Sequence, residues 1–361
     1  MCPPDMDQTC RSQQRWQILA PRLRQGQKLA AKNEFFTSNP EDFLFNQDHS
    51  WDAWSKLAKP VNFDLFRQTV SFTKRGSGAK ISTSSLSSLE CMPAELLKMI
   101  FDDEILEKQD ITALGLCSQT LWQHMLERVE SAYRKNAAPW ADSEIACTGT
   151  YLVDLPESFD KDNMALDSVT DKGGPARMVM ARRFNWAAWM EYNQPKESQQ
   201  DEWRSALRAH RIAAAIPGSC WVKLEEDVSC NKLFPNLTSK GRGWVLRNQT
   251  TKEYVRICAR SELKEDYVVD VSSARWLRLD DVLIMRICWT TRFSYEEKED
   301  VKKGLYLYRG KWAGHRFDIV MQEDSLAKTD GWKDITAEIV SEARKLRRCI
   351  LSGRSQKGLK R

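Results

Sequence analysis

The sequence predicts an α+β protein: a short three-helix module followed by a larger domain of helices and mainly antiparallel sheet. Three observations carry this. Between residues 89 and 129 apolar side chains recur at helical spacing. From Trp221 to about Met321 short runs rich in β-branched and aromatic residues stand between turn formers. No repeat of fixed period runs through the 361 residues, which argues against a propeller or a leucine-rich solenoid. A chain of this length has room for about two domains, each able to bury a core.

Residues 1–85 carry no predicted fold. Arg22-Leu-Arg24-Gln-Gly-Gln-Lys28 is basic, and Trp51/Trp54 and Phe63/Phe66 are isolated aromatic pairs. Thr73 to Ser88 is rich in Ser and Gly and reads as a flexible linker, which sets a boundary near residue 85. The module that follows, 86–132, opens at Pro93. Proline suits the first helical position because its missing N–H is not needed there, and Glu95 sits where a carboxylate meets the positive end of a helix. Leu96, Leu97, Ile100 and Phe101 then form one broad stripe. Asp110 is the expected cap of a second helix through Leu114 and Cys117. Ser118 is the expected cap of a third, carrying Leu121, Trp122, Met125, Leu126 and Val129. Three helices in roughly forty residues lie below the size that usually folds alone, so something else must cover their apolar surface.

The larger domain spans 133–345. Ala141 to about Lys172 is rich in turn formers and predicts irregular structure with short extended pieces. Helices are predicted over Ala181–Trp189 and Asp201–His210, and Pro217-Gly218 breaks the second. Strands are predicted at Gly243–Arg247, Glu253–Cys258, Val282–Trp289, Gly304–Tyr308 and Arg316–Met321, with a hairpin turn at Arg309–Gly314. A last helix begins at Asp334 with Ile335, Ile339, Val340, Ala343 and Leu346 on one side, before a basic tail, 346–361.

Met92-Pro93-x-Glu95-Leu96-x-x-x-Ile100-Phe101 resembles the opening of the F-box, Leu-Pro-x-Glu-(Leu/Ile)-x-x-x-Ile-(Phe/Leu), with Met for Leu as the departure. The second half of that motif usually brings Cys and Trp closer together than Cys117 and Trp122 stand here. Cys147–Pro156, Phe184–Trp189, Trp244–Arg256, Ile284–Trp289 and Trp312–Ile319 resemble phrases found in a group of fungal F-box proteins of unassigned target. The resemblance implies a non-catalytic substrate receptor. It would dock on a Skp-type adaptor of a cullin-based ubiquitin ligase and hold a protein target for ubiquitination, contributing proximity rather than bond making and needing no cofactor. The adaptor-binding residues are then Met92, Pro93, Leu96, Leu97, Ile100, Phe101, Leu114, Cys117, Leu121 and Trp122. The alternative is a helical hairpin whose stripe packs on the chain's own remaining domain.

Composition bounds the other readings. With 55 basic and 50 acidic residues the net charge is +5, so the surface as a whole is not that of a nucleic-acid binder and any basic argument is local. The amino terminus has no apolar core of the secretory kind, and no run approaches the ~20 apolar residues that span a bilayer; a cytoplasmic or nuclear protein without membrane partners is expected. Ten scattered cysteines without a Cys-x-x-Cys pair read as reduced thiols, and the four histidines offer no zinc spacing. Gly76-Ser-Gly-Ala-Lys80 lacks the spacing of a phosphate-binding loop. His315 with Asp318 is the best imidazole candidate for a Cys-dependent hydrolase, against the plainer reading of a histidine hydrogen-bonded beside a hairpin. Arg309, Lys311 and Trp312 form a candidate target-contact tip, since Trp and Arg dominate interface hot spots, against a solvated turn with a packed Trp. The tail, with Arg344, Lys345, Arg347, Arg348, Arg354, Lys357, Lys360 and Arg361, is either a soluble end or the arm of a nuclear nucleic-acid-associated factor.

Overall fold

Strand-forming segments from both ends of the chain meet in one sheet. In the computed structural model the described residues are 16–23, 25–29, 44–45, 51–61, 87–103, 105–149, 156, 159, 199–211, 218–228, 243–261, 264–274, 276–290, 307–321 and 331–358. In chain order the elements are β1 (Trp16–Ala20), β2 (Gln25–Leu29), α1 (Ala53–Leu57), α2 (Ala94–Asp102), α3 (Lys108–Leu116), α4 (Gln119–Asn136), β3 (Glu144–Gly149), α5 (Gln199–Ala209) and α6 (Gly218–Asp227). Then come β4 (Trp244–Asn248), β5 (Glu253–Ser261), β6 (Lys264–Val269), α7 (Leu279–Ile287), β7 (Cys288–Trp289), β8 (His315–Met321), β9 (Lys333–Asp334) and α8 (Thr336–Gly358). The chain divides into two units, one from Met1–Lys59, Ala138–Asn193 and Leu237–Arg361, the other from Pro60–Ala137 and Gln194–Asn236.

The first unit holds every strand among the described residues. Its sheet runs β2-β1-β3-β8-β4-β5-β6, antiparallel throughout, with β7 and β9 adding short parallel pairs to β3 and β5. All five residues of β1 and all six of β3 are buried, as strands covered on both faces must be. Asn248 ends β4 by accepting from the Thr250 and Thr251 amides through Oδ1, and the turn closes on Lys252 in the left-handed region at φ 59°.

Several expectations change here. Residues 16–29 and 51–58, predicted without a fold, belong to this unit: Ile18 pairs with Cys147, and Ala58 bridges Ile319. Their partners lie too far along the chain for local pattern to reveal them. The run Val282–Trp289, predicted as a strand, is mostly α7. All nine residues of this helix are buried, and an apolar run buried on every side has no stripe by which its period can be read. Arg309–Gly314 is a turn, but Leu307 and Tyr308 before it are not strand, and Arg309 bridges Trp289 instead. The last helix does not stop at a separate tail: α8 continues to Gly358, with Ile350 buried on the same side as Ile339 and Ala343. The predicted helix at Ala181–Trp189, the linker through residue 86 and the phrase Gly304–Tyr306 lie outside the described residues.

The second unit contains only helices among its described residues. Leu97, Phe101, Ile111, Leu121, Trp122, Met125, Leu126, Val129 and Tyr133 share a core with Trp203 and Leu207 of α5, and Trp221, Leu224 and Val228 in and just after α6. The cover that the three helices needed therefore comes from this chain. The Tyr133 hydroxyl donates to the Val228 carbonyl at 3.0 Å, tying the end of α4 to the end of α6. Ser118 caps α4 as expected, its Oγ accepting from the Leu121 amide. Two caps shift by a few residues. Pro93 is the N-cap of α2, not its first helical residue, and Glu107 is the N-cap of α3, with Asp110 reaching back to accept from the Glu107 amide.

Candidate functional site

Helix α2 is apolar on two sides. Leu97 and Phe101, four residues apart, point into the helical core, where Leu121 and Trp122 of α4 join them. All four were expected to bind an adaptor. Each is at most 2% exposed, so they are core residues and offer nothing to another chain. The reason is the second apolar layer on α5 and α6, which local reading of residues 86–132 does not include.

The other side of α2 is uncovered. Leu96, Met99 and Ile105 are 43%, 68% and 85% exposed, Pro93 and Cys117 are exposed, and Ile100 is half-buried. Met92 and Leu114 are half-buried and pack against the rim of the core. The predicted set thus splits: Met92, Pro93, Leu96, Ile100, Leu114 and Cys117 keep accessible surface, the other four do not. Met99 and Ile105 were missed. Met99 was recoverable, standing three residues after Leu96 on the same helical face. Ile105 is placed by its turn, in which the Asp103 carboxylate accepts from the Ile105 amide at 3.0 Å.

Acidic side chains surround this stripe. Glu95, Asp102, Asp103, Glu107 and Asp110 are exposed, against Lys98 and a half-buried Lys108. Upstream, the Glu90 carboxylate accepts from the Ser87 amide at 2.9 Å and from the Ser87 hydroxyl at 3.0 Å. The backbone bond from Ser87, with the Ser118 and Ser87 hydroxyls, holds its carboxyl below the usual range. This contact fixes the approach to α2 against the start of α4.

No family model matches the chain, and neither a curated protein nor a solved structure does.

The remaining candidates come apart. Trp312 is 1% exposed; its Nε1 donates to Glu253 at 2.9 Å, its amide donates to the Arg286 carbonyl, and the Arg286 guanidinium lies 5.2 Å from its ring centre. It anchors the turn and is not a contact tip; Arg309 and Lys311 are the exposed members, Arg309 lying over the Trp289 ring. Gly310 is there for space: a Cβ would stand 2.0 Å from the Arg286 carbonyl oxygen. His315 is not paired with Asp318. Its Nδ1 meets the Asn248 amide nitrogen at 2.9 Å, while Asp318, three residues along a strand and so on the opposite face, takes Arg247 and Lys59. Burial pushes the His315 pKa down, with Glu253 opposing. Burial works against the Asp318 charge, but Arg247 and Lys59 outweigh it and hold the carboxyl low. Cys147 and Cys288, both fully buried, are register partners across β3 and β7, and burial together with the Cys147 contact pushes the Cys288 thiol well up. That is the reverse of an activated nucleophile. Among the described residues no cluster of His, Cys, Asp and Glu has the makings of a metal site, and no helix is long and apolar enough to cross a membrane.

Proposed function

We propose that the chain is a substrate receptor of the F-box kind, whose helical unit docks on a Skp-type adaptor through the outward side of α2 and whose sheet unit holds a protein target for ubiquitin transfer by other subunits. One observation carries this reading. Of the five large apolar side chains that stand exposed among the described residues, Leu96, Met99 and Ile105 fall within ten positions of each other, the first two on α2, which also bears the motif's Glu95, and Ile105 in the turn that follows it. Clustered apolar exposure of this sort marks an interaction surface. Fully burying a Leu, Ile or Met contributes about 1.5–3 kcal/mol, so these three residues offset a large part of the cost of association and the flanking contacts supply the rest. The docking residues in this proposal are Pro93, Leu96, Met99, Ile100 and Ile105, with Met92, Leu114 and Cys117 at the edge. The cytoplasm or nucleus is the compartment it requires.

The test is co-purification with the adaptor of the wild type and of Leu96→Asp combined with Met99→Asp. Both positions are exposed, so the variant keeps its melting temperature, and adaptor recovery is expected to fall to background. Undiminished recovery would remove the proposal. Leu97→Asp is a control of another kind, losing recovery together with the fold.

A further inference from the structure

Helix α8 is a 23-residue helix with its charge sorted along its length. Its two acidic residues, Glu338 and Glu342, both engage the buried Arg286, and Lys311 stands 4.0 Å from Glu338, so two cations of the same unit face these two carboxylates. Beyond Glu342 the helix carries Arg344, Lys345, Arg347, Arg348, Arg354 and Lys357 and no acid, and Lys360 and Arg361 follow. Its apolar side is taken up: Ile339, Val340, Ala343 and Ile350 are buried. Ala337, Ser341, Arg344, Lys345 and Arg348, at i, i+4, i+7, i+8 and i+11, are all exposed on the opposite side. This face carries small side chains and cations, with the exposed Glu338 two turns before Lys345 at its border.

Two of these cations are held in place. Arg344 donates to the Ser273 hydroxyl at 2.6 Å, and the Arg347 guanidinium lies 4.7 Å from the centre of the Trp276 ring, whose own N–H donates to the Ser273 carbonyl. A guanidinium stacked on a ring keeps its in-plane donors, and ordering it beforehand lowers the entropy lost on binding. Lys345 and Arg348 form no ion pair among the described residues.

We infer that the outer face of α8 is a binding surface for the phosphodiester backbone of a nucleic acid. The placement of the apolar side decides against a membrane. An interfacial helix sinks its apolar face among lipid tails, and here that face is already packed against the sheet unit. The surface belongs to the sheet unit and α2 to the helical unit, so the inference stands or falls independently of the docking proposal.

The experiment uses the full chain and two labelled probes, a 20-nucleotide single strand and a 20-base-pair duplex, with anisotropy read across a salt series and phosphatidylserine vesicles as a third arm. The wild type is expected to bind at least one nucleic-acid probe with a steep loss of affinity as salt rises. Lys345→Glu combined with Arg348→Glu should weaken that binding about tenfold or more at 0.1 M salt, lower the magnitude of the salt slope by about 2, and leave the melting temperature in place. Lys135→Glu on α4 should change nothing. The relative affinities of the two probes tell single strand from duplex. No binding by the wild type, equal binding by the double variant, or binding to vesicles alone would each overturn the inference.

Discussion

Asp280 and Asp281 show what one buried side chain does to distant backbone. Asp280 accepts from the Ala53 amide and Asp281 from the Phe45 amide, both at 2.9 Å, so the start of α7 fastens segments more than two hundred residues upstream. Burial, only partly offset by these amide bonds and by Arg278, raises the two carboxyls to about 8 and about 6. The folded chain thus retains protons that the unfolded chain releases near 3.8, and stability from this pair falls as pH rises from about 4 to about 8. Asp280→Asn keeps an acceptor for Ala53 and removes the titration, so its urea midpoint should fall less than that of the wild type between pH 5 and pH 8. Asp318 has the opposite sign: its low carboxyl contributes stability that is lost as pH drops below its ordinary value. Gly310→Ala should cost more than about 3 kcal/mol by thermal melting, since backbone must move to admit the new carbon. None of this was legible locally. Gly310 stands in the predicted turn and Asp280 just ahead of a predicted strand, and neither position shows its partner, because the atoms they meet come from other elements.

At the scale of the element, amphipathic helices with a single covered side were read well and everything else less so. Ser118, the α4 stripe and the helix at 199–209 were recoverable from spacing alone. Helix α2 was half recovered: Leu96 and Leu97 look alike in sequence, and only the layer of α5 and α6 separates them. Truncation makes the difference measurable. Leu97→Ala should lose about 2–5 kcal/mol of stability in urea unfolding, whereas Leu96→Ala should stay within about 0.5 kcal/mol of the wild type. Gly115 acts between two helices. A Cβ there would come within 2.9 Å of the Met125 Cβ, so Gly115 sets how closely α3 approaches α4. Helix α7, buried on every side, shows no stripe in its sequence that sets it apart from a strand.

For the whole molecule, interleaving is the organising fact: the sheet unit is drawn from three stretches of chain and the helical unit from two. A fragment of residues 87–137 alone lacks Trp203, Leu207, Trp221 and Leu224, and should show weak helicity by circular dichroism and bind a hydrophobic dye. A well-folded fragment would contradict the five-helix core. The α+β class was legible from composition and patterning, but the share of the first sixty residues in the sheet was not, since pairing across a hundred residues leaves no local trace. Strand order also has a consequence for biosynthesis. β8, the seam between β3 on one side and β4 on the other, is made after both of its neighbours. Until Met321 has left the ribosome, β3 and β4 each lack the neighbour that β8 becomes, and unpaired strand edges recruit foreign chains. Translation arrested just before His315 should yield insoluble product, and a chaperone that shields such edges would matter most in that interval.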